Sequence, residues 1–195
     1  MPVGGPTKLQ IINAALVRVG AAPLPSLGNA NDDTASVANA LYDSVRRRAL
    51  SSFAWRFALT EETLAQLGSA TYSSEWAYAH RLPADTIRPL GLLNSSLYEI
   101  HGDELYTEIP DPVLIYIRDM GEALWPPYFS GAMELQLAAD FAIPVTENVS
   151  TAALYEQRAQ REWSIARGLD SQTSPPSNLA SNLDEFLARV PVARA

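Results

Sequence analysis

His101, Asp103 and Glu104 fall within four positions of one another, and an imidazole beside two carboxylates is donor chemistry for a divalent metal. A protein-held metal needs three or four convergent ligands, however. Gly102-Asp103 between Tyr98-Glu99-Ile100-His101 and Glu104-Leu105-Tyr106-Thr107 equally has the form of a tight hairpin loop with exposed acids. Glu61 and Glu62 are a second candidate. Glycoside cleavage uses two carboxyl groups at a fixed separation across a cleft, and adjacent glutamates are also what a solvated face presents. Arg46, Arg47 and Arg48 are a third, placing three consecutive cations in a chain of net charge −8. They suit a solvated helix face, a face pairing with carboxylates of a neighbouring subunit, or a DNA-binding helix. The acidity weighs against the last, because sequence-independent DNA affinity rests on neutralising phosphates. The chain carries no glycine-rich phosphate loop ending in Lys-Ser/Thr, no HExxH, no GxSxG and no EF-hand loop. The expectation is a non-enzyme with no catalytic residue, metal ligand or cofactor.

The arginines belong to the longest amphipathic stretch, Asn31 to Ala58. Asn31, Asp32 and Asp33 offer side-chain oxygens to the free N–H groups of a helix start near Thr34. Val37, Leu41, Val45, Ala49 and Phe53 recur every four residues as its core stripe. Successive residues step by roughly 100°, so Arg46 and Arg47 point away from that stripe and Arg48 lies on its flank. Phe53, Trp55 and Phe57 form an aromatic knot where this helix, spanning residues 34–54, is expected to end.

Thr7-Lys8-Leu9-Gln10 has the form of a capping box opening a helix over residues 8–20, stopped by Gly20, Pro23 and Pro25. LTEETLAQLG leans toward strand. Alternation of Trp76, Tyr78 and His80 with Ala77, Ala79 and Arg81 marks another strand, and Ile87 to Leu93, the Gly102-Asp103 hairpin and Val113 to Ile117 continue a small, mostly antiparallel sheet over residues 57–117. Trp125-Pro126-Pro127-Tyr128-Phe129 reads as a buried corner. Met133, Leu137 and Phe141 mark a helix over 130–143 that Pro144 closes. A last long helix over 151–167 has Ser150 as cap, Val149 and Leu154 as hydrophobic staple, and Gly168 as stop.

The fold class expected is α+β: an antiparallel-type helical bundle with an inserted sheet, one domain over residues 1–169, then an extended tail over 170–195. In that tail Leu183, Phe186, Leu187 and Val190 share one helical face, a helix too short to persist alone in water. It needs a surface, on a partner chain or on its own domain. The chain has 47% hydrophobic residues, enough for a real core, and no cysteine, which excludes disulfides and thiolate metal sites. With no charged-then-apolar leader and no apolar run near the ~20 residues that span a bilayer, a soluble chain without a membrane partner is expected.

Taken in order, FAWRFALTEETLAQL, WAYAHRLPADTIRPLGL, YEIHGDELYT, VLIYI, the Trp/Pro/Phe corner and MELQLAADFAIPVT resemble the tail tubular protein A and head-to-tail adaptor family of tailed bacteriophages. The similarity covers roughly residues 8 to 168. Its most specific parts are Trp55, Phe57 and Ala58; Tyr78, Leu82, Pro83 and Asp85; and the Leu-Ala-Ala helix ending near Pro144. Where relatives often carry His-Pro before the tryptophan, this chain has Phe53-Ala54. The resemblance implies a virion protein of the neck that assembles in the host cytoplasm as a closed ring, commonly of about twelve copies. Its partners would be the portal protein, the tail tube or nozzle protein, other copies of itself, and duplex DNA passing through the lumen without specific binding. Leu183, Phe186, Leu187 and Val190 would dock on the portal, and Arg46 and Arg47 would pair with acids of the adjacent subunit. A tail-associated peptidoglycan hydrolase using Glu61 or Glu62, and a DNA-binding regulator using the arginine face, are the alternatives.

Overall fold

Thr7 Oγ1 accepts the Gln10 N–H at 3.3 Å while Gln10 Oε1 accepts the Thr7 N–H at 2.8 Å, so the capping box forms and α1 (Lys8–Arg18) begins where the sequence places it. The linker that follows is clamped by two asparagines. Asn13 exchanges both amide groups with the Leu24 backbone at 2.8 and 2.9 Å, and Asn39 donates to the Leu27 carbonyl at 2.9 Å. The computed structural model describes residues 5–29, 32–68, 75–93 and 96–173. Leu183, Phe186, Leu187 and Val190, expected to form the docking helix, lie outside the described residues.

Asp32 caps α2 (Asp33–Ser51), accepting the Ala35 N–H at 3.2 Å. Its buried face is Ala35, Ala38, Tyr42, Val45 and Ala49, with Val37 and Leu41 only half-buried. The expected stripe of large residues is thus rotated toward the alanines. The helix stops at Ser51 rather than 54 because Ser52 Oγ and the Trp55 indole N–H both turn back onto the Ala49 carbonyl, at 2.8 and 2.9 Å.

After a single 3₁₀ turn at Arg56–Ala58 come β1 (Leu59–Thr63), β2 (Tyr78–Arg81), β3 (Thr86–Leu92), β4 (Tyr98–His101), β5 (Glu104–Thr107) and β6 (Val113–Arg118). The single sheet expected over residues 57–117 is in fact two antiparallel three-stranded sheets, ordered β1-β6-β3 and β2-β5-β4. Alternation along β6 divides the two cores. Leu114 and Tyr116 pack with Leu64, Leu92 and Leu105 between the sheets, while Ile117, on the other face, joins the core of the helices.

The proline-rich corner begins α3 (Pro127–Thr146) three residues earlier than expected, because proline at a first helical position loses no hydrogen bond. Nor does Pro144 close it. The last turn continues because Glu147, in the left-handed region at φ 53°, and Asn148 return their N–H groups to Ile143 and Ala142 at 2.9 and 3.2 Å. Asn148, not Ser150, caps α4 (Val149–Ser171) by accepting the Thr151 N–H at 3.0 Å. The staple is not made, since Val149 and Leu154 are both exposed. Helix α4 also runs past Gly168, and the domain does not end at Leu169: Asp170 is completely buried.

Helix α3 lies against α1, α2 and α4. Among the described residues, no helix is long and apolar enough to cross a membrane. The aromatic knot is core: Trp55 is fully buried, with Phe53, Phe129 and Trp163 ring centroids 5.1, 5.0 and 5.8 Å from its own. Truncating it leaves a cavity that several elements cannot collapse together, so Trp55→Ala is expected to lower stability by about 3–5 kcal/mol in urea unfolding.

Candidate interaction surfaces

The three arginines have three different environments. Arg46 is turned inward, its side chain 14% exposed, with Nη2 on Asp119 Oδ1 and on the Met120 carbonyl, and Nε 3.5 Å from Glu122 Oε1. Glu122 also accepts the Tyr42 hydroxyl at 3.0 Å. The acids expected from an adjacent subunit therefore come, for Arg46, from its own chain. The connection leaving β6 folds back across α2, a contact between positions more than seventy residues apart that helix periodicity cannot show. Arg48 pairs with Asp140 of α3 at 3.1 Å. Only Arg47 is exposed with no acidic partner among the described residues.

The other candidates are dispersed. Glu61 stands opposite Ile115 and Glu62 opposite Leu114, so the two carboxylates project to opposite faces of β1, and Glu62 accepts the Tyr116 hydroxyl at 3.0 Å. At the hairpin, Asp103 pairs with Arg81, Glu104 accepts the Tyr106 hydroxyl, and His101 Nε2 lies 3.5 Å from Glu99. Among the described residues, no group of three or more histidine, aspartate or glutamate side chains is placed to hold a metal ion. His80, expected on one face of a half-buried strand, is fully buried, with Nε2 3.1 Å from the Ile109 carbonyl.

Asp170, assigned by the sequence to the linker, is the residue that reasoning missed. Its Oδ2 accepts the Arg56 backbone N–H and its Oδ1 the Tyr128 hydroxyl, both at 2.8 Å, tying α4 to the start of the sheet and to α3. A buried carboxyl group accepting from two donors has its hydrogen-bonding needs met. The available signal was the heptad after Trp163, where Ala166 and Asp170 fall on the same side of the helix.

The outward side of α4 presents a second pattern. Leu154, Arg158, Arg161, Ile165 and Leu169 are all exposed at spacings of four, three, four and four, a stripe within about 80° of the helix circumference. Arginine is enriched at protein interfaces, and here it stands among exposed aliphatic side chains. Among the described residues, neither Arg158 nor Arg161 has an acidic partner, although Arg158 lies 5.4 Å from the Tyr155 ring.

No protein-family model matches the chain, and no curated protein matches it in sequence.

Two outcomes follow from these environments. Arg46→Ala, which strands Asp119 and Glu122, is expected to cost about 1–3 kcal/mol in urea unfolding, whereas Arg47→Ala stays within about 0.5 kcal/mol. Tyr42, Tyr116 and Tyr128 each donate to a carboxylate, and burial first, then that acid, pushes each phenol above its ordinary range. A raised phenol stabilises the fold fully below about pH 10, where the unfolded chain's tyrosines begin to ionise. That stabilisation is lost as pH rises through the higher folded value. Stability should therefore fall from about pH 10 upward, with a shallower fall in Tyr128→Phe, read by denaturant titrations at successive pH values.

Proposed function

We propose that the chain is a head-to-tail adaptor of a tailed bacteriophage, a structural virion protein whose work is done by interfaces. The observation that carries this reading is the outer stripe of α4: Leu154, Ile165 and Leu169 with Arg158 and Arg161, an exposed apolar and cationic surface along a helix of 23 residues. Surface of opposite charge is available on the same chain, since residues 59–118 hold nine acidic against three basic side chains. A head-to-tail contact between identical copies pairs two different surfaces, and such contacts close into rings when the rotation permits. The ordered resemblance to the adaptor family supports the same conclusion.

In this reading α1, α2 and α4 gather round α3 as an antiparallel bundle, and bundles stand side by side around a ring of about twelve copies beneath the portal. The sheets face the tail tube or nozzle protein. Arg47 remains a contact to the adjacent subunit, whereas Arg46 holds its own fold together. The tail segment with Leu183, Phe186, Leu187 and Val190 docks on the portal. The acidic wall lets duplex DNA slide through the lumen without being held, and the protein resides in the virion neck after assembly in the host cytoplasm.

Light scattering on the protein alone and mixed with portal rings tests the proposal. A defined ring added to the portal is the expected result, and Ile165→Asp together with Arg161→Glu should abolish that addition while leaving the chain folded by circular dichroism. A wild-type chain that ignores portal rings overturns the assignment.

A further inference from the structure

Ile115 and Ile117 share one face of β6, yet only Ile117 is covered by the helices. Beyond it the sheet face lies open. Phe53 and Leu59 form one bank of a cleft of about 320 Å³, Leu90 and Ile115 line it, and Ser171 at the last turn of α4 stands at its end. A second cleft of about 370 Å³ shares Leu90 and Ile115 and continues past Gly91 to Tyr98. Together they make a groove running from the end of α4 across the edge of β3. Leu59 and Leu90 are 37% and 36% exposed along it. Arg56 and the buried Asp170, which accepts the Arg56 backbone N–H, line the same cleft, and among the described residues the exposed Arg56 guanidinium makes no ion pair.

We propose that in the free protein this groove is covered by the C-terminal segment of the same chain, with Leu183, Phe186, Leu187 and Val190 against Leu59, Leu90 and Ile115. The described chain reaches Thr173, two residues beyond Ser171, so the segment departs from the end of the groove itself. Residues 174–182 span up to roughly 30 Å when extended, ample for the length of the groove. The four apolar residues fall at i, i+3, i+4 and i+7, one face of a helical turn pair, and Asp184 lies on the flank of that face, where it can meet the Arg56 guanidinium, while Glu185 falls on the opposite side. So short a segment forms a helix only against a surface. A tether of nine residues holds it at an effective concentration on the order of millimolar, far above that of any second copy in dilute solution. The same chain is therefore the favoured occupant. The inference concerns the free chain, goes beyond the adaptor reading, and stands if that reading fails.

The absence of cysteine allows a direct test on the full-length protein. Leu90→Cys combined with Leu187→Cys is oxidised and followed by non-reducing electrophoresis and intact mass. Val17→Cys with Leu187→Cys serves as control, because exposed Val17 lies at the other end of α4, where Tyr155 donates to the Arg18 carbonyl. The expected result is a disulfide within one chain, forming at least about tenfold faster than in the control pair. Arg56→Glu should slow it severalfold, and adding Asp184→Lys to that variant should restore the rate. Equal rates in the two cysteine pairs, or a bond formed only between chains, overturn the proposal. A rate indifferent to both charge changes overturns the pairing of Arg56 with Asp184.

Discussion

Trp55 donates its indole N–H to the Ala49 carbonyl, and that bond is what allows a ring with a polar atom to be buried completely. It also sets where α2 ends, because the chain must leave the helix for the indole to turn back under it. Around the ring stand Phe53 and Phe57 from the same turn, Phe129 from α3 and Trp163 from α4. Phe129 itself touches Trp125, Phe57 and Trp163 edge to face. Helices distant in sequence are thus held by one set of interlocking rings, whose edge-to-face contacts fix angles as well as distance. The first sheet inherits its position from the same knot, since β1 begins immediately after Ala58.

A second constraint is electrostatic. An acidic chain must keep its carboxylates either in water or supplied with donors, and this one pairs several of them with tyrosine hydroxyls: Glu122 with Tyr42, Glu62 and Asp85 with Tyr116, and Asp170 with Tyr128. Each pair joins segments far apart in the sequence. Asp170 does most, since its two oxygens reach the backbone of Arg56 and the hydroxyl of Tyr128 and so anchor the end of α4 against the knot. Arg46, Arg48 and Arg118 perform the complementary task with Asp119, Asp140 and Asp85. Among the described residues, Arg47, Arg56, Arg158 and Arg161 are exposed with no ion pair, and exposed aliphatic residues flank the last two.

The described residues do not bring either group of candidate catalytic side chains together. The candidate carboxylate pair is divided between the two faces of β1, and the histidine turn is occupied by its own ion pair and hydroxyl contacts. The outer stripe of α4 and the groove past Ile115 are instead continuous surfaces, one mixed aliphatic and cationic, the other apolar.

The elements legible in the chain were those with local causes. The capping box at Thr7, the acid cap of α2 and the Gly102-Asp103 hairpin depend on groups within a few residues, and each stands where its spacing placed it. The misreadings of the helix ends have two origins: Pro127 and Pro144 sit at helix ends whose local hydrogen bonding accommodates them, whereas Gly168 and Asp170 are carried into α4 by a tertiary contact. Pro144 is tolerated because Glu147 and Asn148 satisfy the last carbonyls, and Gly168 is passed because Asp170 has a buried position to reach. Division of the β region into two sheets, the inward turn of Arg46 and the exposure of Leu154 were invisible for the second of these reasons. Periodicity shows which residues share a face of an element, but what that face meets depends on partners scores of residues away.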